Sequence, residues 1–251
     1  MCSSDLHSSN TPWADSATAD PEHDGLTEFG ELVVREMQRI GMLVDLSHVS
    51  EATMQDTLDV IESQRGAPVM FSHSGARAVA DHPRNVPDSV LSRMPANGGI
   101  VMVVALPGYL SDNVRDWNTR QSAEIERLEA LHPGAPDQVD AALAEWLQVN
   151  PPAQATIADM ADHIDHIRDV AGIDHIGIGG DYDGMDTGPQ GMEDVAGYPA
   201  LFTELARRGY SQEDLEKISS RNMMRVLRAA EAYAADHAMD PPLETPVGEE
   251  A

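Results

Sequence analysis

Apolar positions along this chain fall into short runs separated by longer amphipathic stretches. Residues 26–40 carry Phe29, Leu32, Val33, Met37 and Ile40 at helical spacing, which predicts a helix along that stripe. Thr27 is its N-cap, Glu28 and Glu31 lie in the first turn where they oppose the helix dipole, and Gly41 ends it. Residues 43–47 and 68–72 are short apolar runs of strand length. The 51–64 stretch between them has Met54, Leu58 and Ile61 on one helical face. Residues 99–105 are continuously apolar, as in a strand buried on both faces, and 175–180 form a fourth run. Ile157, Met160, Ala161, Ile164 and Ile167 mark a helix over 156–171 capped by Thr156, and three further helices follow at 198–208, from Ser211, and at 222–233. Residues 74–77 are expected to open a short helix. Residues 82–88 form a turn whose two prolines fix its path. Residues 1–24 are polar and are expected to form no core element.

Strand and helix therefore alternate, which predicts α/β architecture with a parallel sheet. Four strands are expected, ending near Ser47, Ser72, Ala105 and Gly180, whereas a closed β/α barrel has eight. The main domain is read as residues 1–235. Residues 112–153, charged, Ala-rich and broken at His132-Pro133-Gly134, form a helical insertion over the rim. Residues 236–251 are an acidic tail expected to be disordered.

Charge narrows the partners. A formal net charge of -27 argues against nucleic acid and against an anionic membrane surface. Cys2 is the single cysteine, so neither an intrachain disulfide nor a thiolate metal cage can form. No apolar run of membrane-spanning length and no leader-like start occurs, so a cytoplasmic protein is expected.

The candidate chemistry sits where the apolar runs end. His48 and His73 each close a strand in a Ser-His setting. Imidazoles on adjacent parallel strands can converge on one ion in a barrel mouth, though a single such histidine more often only satisfies a loop carbonyl. Asp181 closes the fourth strand in the same way. His163 and His166, three apart and flanked by Asp162 and Asp165, are read as a solvated helix face rather than a ligand pair.

Five segments in order carry a family resemblance: His7-Ser8-Ser9-Asn10-Thr11-Pro12-Trp13, Val44-Asp45-Leu46-Ser47-His48-Val49-Ser50, Phe71-Ser72-His73-Ser74, Arg84-Asn85-Val86-Pro87-Asp88 and Gly179-Gly180-Asp181-Tyr182-Asp183-Gly184. Together they resemble the membrane (renal-type) dipeptidases, zinc peptidases built on a β/α barrel. The resemblance implies a partial (β/α)8 TIM-type barrel comprising the C-terminal strands and helices. It implies dipeptide hydrolysis by metal-activated water. His48 and His73 match ligands of the second of two zinc ions. His7 matches a substrate-contacting histidine that polarises the carbonyl or stabilises the oxyanion. Arg84 matches the arginine that pairs with the substrate carboxylate, Asp181 the proton shuttle, and Tyr109 a tyrosine near the substrate. The family's His-x-Asp pair for the first zinc and its bridging glutamate lie upstream of the position matching His7, and no residues here match them. At most one Zn2+ and impaired activity are therefore expected, with a dipeptide as substrate and a second copy or a complementing N-terminal fragment as partner. The competing readings are a non-catalytic remnant that binds peptides or partners, and another metal-dependent barrel hydrolase.

Overall fold

The structure, a computed structural model, describes residues 4–5 and 9–243. Five parallel strands make one sheet in sequence order: β1 (Ser4–Asp5), β2 (Val44–Asp45), β3 (Met70–Ser74), β4 (Ile100–Val103) and β5 (Ile176–Ile178). Each strand pairs with the next, with Ser4 opposite Val44, Asp45 opposite Met70, Phe71 opposite Val101 and Val101 opposite Ile176. Helices fill the connections: α1 (Glu28–Arg39), α2 (Glu51–Gln64), α3 (Asp88–Leu91), α4 (Met94–Asn97), α5 (Pro107–Leu110), α6 (Asp112–Leu131), α7 (Pro136–Val149), α8 (Ile157–Ala171), α9 (Tyr198–Arg207), α10 (Gln212–Glu216) and α11 (Asn222–Asp236). The result is an arc of parallel β/α units, the partial barrel expected from the strand count. A π-helical turn, Lys217–Arg221, joins α10 to α11.

Local signals explain the principal helices. The Thr27 hydroxyl accepts the Gly30 N–H, Ser50 accepts Thr53 N–H, and Thr156 and Asp159 form a reciprocal capping box. Gly41, at φ +74°, lets the chain leave α1 and turn into β2, and a Cβ there would come 2.9 Å from that of Ala234 on α11. The core fills both sides of the sheet. Leu46, Val69, Phe71, Val101, Val103 and Ile176 pack with Met54, Leu58 and Ile61 of α2 and with Met160, Ile164 and Ile167 of α8. A smaller cluster of Leu43, Ala67, Met70 and Ile100 is covered by Val226 and Ala230 of α11.

Four expectations need correction. Ser4 and Asp5 form an edge strand despite their polarity, because ladder pairing with β2 uses backbone groups and needs no apolar side chain. Residues 74–77 open no helix. Instead Arg77 N–H donates to the Val86 carbonyl and Val86 N–H to the Gly75 carbonyl, so long-range bonding takes the backbone groups a helix would use. The α1 stripe is rotated: Val34 and Met37 are buried, while Phe29, Leu32 and Ile40 are exposed. His163 is fully buried on α8; His166 is not, and its Nε2 lies 2.7 Å from Asp88. The insertion holds α6 and α7, tied by the Trp117 indole donating to the Asn150 carbonyl. Of the expected tail, α11 runs to Asp236, Leu243 N–H donates to Glu36, and the remainder lies outside the described residues.

Candidate metal and carboxylate site

The two strand-end histidines meet. His48 follows β2, His73 lies in β3, and their Nε2 atoms are 2.8 Å apart with the rings edge to face at 61°. The preceding residues explain the alignment. Asp45, buried in β2, accepts the peptide N–H groups of Ser47 and Ser72 at 3.1 and 3.0 Å and thereby locks the ends of the two strands in register. The Ser47 hydroxyl accepts the His73 N–H at 2.9 Å and lies 3.3 Å from the Ser72 hydroxyl, which is 2.7 Å from His73 Nδ1. The repeated Ser-His pattern is thus a scaffold in which one serine seats the other strand's histidine. At 2.8 Å the two Nε2 atoms share one proton as an N–H···N hydrogen bond; as ligands of one tetrahedral zinc, each about 2.0–2.1 Å from it, they would stand about 3.3–3.4 Å apart, so the rings must part by about half an ångström to admit an ion.

Arg84 reaches the same end of the sheet from the turn after β3. Its Nε donates to the Ser47 carbonyl at 2.5 Å, next to His48, and one terminal nitrogen donates to the Tyr109 hydroxyl at 3.3 Å. Arg84 as a residue is 5 % exposed, and its guanidinium carbon lies 5.3 Å from the Tyr109 ring centroid. His82 stacks on the other ring contact of Tyr109, with centroids 4.2 Å apart, and its Nδ1 accepts the Arg84 peptide N–H. Burial, reinforced by Arg84, Arg115 and Arg77, lowers the His82 pKa to about 4, which keeps that acceptor neutral.

Asp181 stands two residues beyond Gly179, where a Cβ would lie 1.7 Å from the Ser72 carbonyl oxygen. This contact requires glycine and brings the end of β5 against the strand that carries His73. Asp181 itself adopts the left-handed conformation (φ +61°), is exposed, and its carboxylate folds back over Gly184. A cavity of about 610 Å³ opens beside it, lined by Leu106, Gly108, Trp117, Gln154, Gly184 and Asp186. Through Trp117 the insertion therefore forms a wall next to the site.

Of the residues singled out from sequence, His48, His73, Arg84 and Tyr109 form one contact network, Asp181 shares their end of the sheet, and His7 lies outside the described residues. Among the described residues no group of three or more His, Cys, Asp or Glu side chains is placed to hold a metal. The imidazole pair fits two coordination positions, and a third protein ligand has to come from elsewhere. Sequence reading missed Asp45, Ser47, Ser72, Asn85 and His163. A signal existed for His163, which is three residues from Met160 and four from Ile167 and so belongs to the apolar stripe.

The membrane dipeptidase (Peptidase family M19) profile matches residues 4–240. Dipeptidase tcpJ of Claviceps purpurea is 41% identical over 230 residues, covering 91% of this chain and 44% of that protein. Dipeptidase 3 of Macaca fascicularis is 39% identical over 240 residues, covering 94% of this chain and 40% of that protein. The chain thus spans well under half the length of these relatives. Among solved structures, the probable dipeptidase PvdM from Pseudomonas aeruginosa superposes with a TM-score of 0.71 at 27% identity, covering 90% of this chain and 61% of that one. A metallo peptidase from Rhodobacter sphaeroides, liganded with a phosphinate mimic of the dipeptide L-Ala-D-Ala, gives 0.62 at 27% identity, covering 82% and 48%.

Proposed function

Because this chain belongs to the membrane dipeptidase family, peptidase family M19, we propose that it carries the carboxylate-binding side and one metal-binding side of a zinc dipeptidase site. The observation that supports this most strongly is that β2 and β3 bring His48 and His73 together at one end of the sheet with their Nε2 atoms facing, so that a small parting of the rings, about half an ångström, would let both reach one ion. Zinc, when bound by the two imidazoles and a third ligand, supplies Lewis acidity and a water of lowered pKa. Arg84 receives the free C-terminal carboxylate of a dipeptide. A planar guanidinium held by Ser47 and Tyr109 suits a carboxylate better than the point charge of lysine. Tyr109 keeps that guanidinium oriented, and its ring forms one wall of the carboxylate pocket. Asp181 accepts the proton of the attacking water and returns it to the leaving amine, for which its carboxylate must swing away from Gly184. His7 is assigned to the scissile carbonyl by its match to the family pattern.

Weak zinc binding and little turnover are assigned to the 251-residue polypeptide by itself, since among the described residues two imidazoles are one ligand short of the usual catalytic set. Zinc content per chain and hydrolysis of L-Ala-D-Ala with added zinc test this reading. At most one zinc and negligible turnover are expected. Two zincs per chain with vigorous hydrolysis would overturn it. A second reading, a dipeptide-binding module without catalysis, rests on the Arg84–Tyr109 pair, which needs no metal. Metal-independent binding of the dipeptide without turnover selects it.

A further inference from the structure

The carboxylate side of the site contains a buried histidine that the chemistry above does not use. His163 projects from α8 into the gap between two loops: the turn that carries Arg84 and the short helix that carries Tyr109. Its Nδ1 accepts the Ala76 N–H at 2.8 Å, and this fixes the tautomer, so Nε2 is protonated and donates to the Leu110 carbonyl at 3.2 Å. Asn85 spans the same gap beside it. The Asn85 Oδ1 accepts the Gly75 N–H at 2.8 Å, and its Nδ2 donates to the carbonyls of Ala80 at 2.9 Å and Tyr109 at 2.8 Å. Both side chains are fully buried, and their hydrogen-bonding groups are used on the two loops. The packing admits no slack. A Cβ on Gly75 would come 2.6 Å from Asn85 Oδ1 and 2.7 Å from His163 Nδ1.

We propose that His163, acting with Asn85, is a positioning residue that sets the separation between the Arg84 guanidinium and Tyr109 and thereby the affinity for a substrate carboxylate. The two loops touch through the Arg84–Tyr109 hydrogen bond at 3.3 Å and the His82–Tyr109 ring contact, while Asn85 and His163 tie their backbones together. His163 bonds both loops to one rigid helix, and Asn85 bonds the Arg84 turn directly to the Tyr109 carbonyl, so guanidinium and phenol move as a unit. Neither His163 nor Asn85 touches the substrate. This inference rests on the assignment of Arg84 as the carboxylate partner.

The test is an NMR titration of the full 251-residue chain with L-Ala-D-Ala and with its C-terminal amide, followed at the Arg84 Nε–Hε resonance. Wild type is expected to bind the carboxylate form more tightly than the amide. His163→Phe, which keeps a ring but neither polar atom, is expected to lose about tenfold in affinity for the carboxylate form, the equivalent of one hydrogen-bonded contact, while the amide is little changed. His163→Asn retains an acceptor for Ala76 and His163→Gln a donor for Leu110, so each is expected to lose less than the Phe variant. Hydrogen exchange at the Ala76 amide should accelerate in the Phe and Gln variants and stay slow in the Asn variant. If the Phe variant fails to fold, the Asn and Gln variants decide the matter by the same readouts. Wild-type carboxylate preference in folded variants that lack either polar atom would overturn the proposal. Should Arg84→Ala also leave that preference intact, the assignment of Arg84 itself has failed; should Arg84→Ala abolish it while the His163 variants do not, only the positioning role has failed.

Discussion

In the proposed site, Arg84 is the residue on which substrate length would depend. Its Nε is committed to Ser47 and one terminal nitrogen to Tyr109, so the side chain is held in one pose before any ligand arrives. Arg84→Lys keeps the charge but loses both the fork and the Ser47 anchor. It is expected to weaken dipeptide binding by about 10- to 100-fold, or 1.4 to 2.7 kcal/mol, with little change in the melting temperature, as measured by ligand titration and thermal unfolding. Arg84 was legible only through the resemblance carried by Arg84-Asn85-Val86-Pro87-Asp88, since it lies in a turn ten residues beyond β3. The residues that hold it were less legible. Asp45, Ser47 and Ser72 look like ordinary polar residues beside their histidines, and only the register of β2 against β3 reveals that they bond across the strand pair. His7 is assigned to the site only by its match to the family pattern, and it lies outside the described residues.

At the scale of elements, α8 carries the clearest pH dependence. Burial lowers the His163 pKa to about 4 from an ordinary value near 6.5, against smaller opposing effects of the Leu110 carbonyl, Asp162 and Asp159. Protonation would also place an N–H against the Ala76 N–H. The unfolded chain therefore binds this proton more readily than the folded one, and stability rises with pH across that interval. The sign places no penalty from this group above pH 6.5, and a loss of about 3 kcal/mol accumulating as pH falls from about 6.5 to about 4. Urea unfolding at a series of pH values checks this, and His163→Asn is expected to flatten that part of the profile. The helix itself was legible from its apolar stripe and Thr156 cap, and four strands were legible from apolar runs. What failed were segments governed by distant partners. The 74–77 stretch has helix-compatible residues, yet Asn85 and His163 hold its amides. β1 is polar, and only the free edge of β2 recruits it.

At the scale of the molecule, the sheet formed by the described residues is an arc: β1 and β5 are its two edges there, and they do not pair with each other. Parallel sheets are normally covered and closed, and an edge offers unpaired N–H and C=O groups to a neighbour. The high negative charge opposes association, and salt screens that repulsion. The 251-residue chain is therefore expected to self-associate with rising concentration, more strongly at high salt, as read by light scattering. A monodisperse monomer at every concentration and salt level would speak against this. The partial-barrel architecture and the shortfall of strands were visible in the alternation of apolar runs, because a parallel β/α unit writes each strand and helix as a separate block. Which edge would be open was not visible, since that depends on the pairing order and not on any local pattern.

The central claim is that His48 and His73 form one cation-binding pair. Calorimetric zinc titration of the 251-residue chain and of its His48→Ala, His73→Ala and double variants tests it directly. The account predicts a single weak site whose affinity falls by about tenfold or more in either single variant and no further in the double variant. Undiminished zinc affinity after removal of either imidazole would contradict it, because the ion would then be held elsewhere.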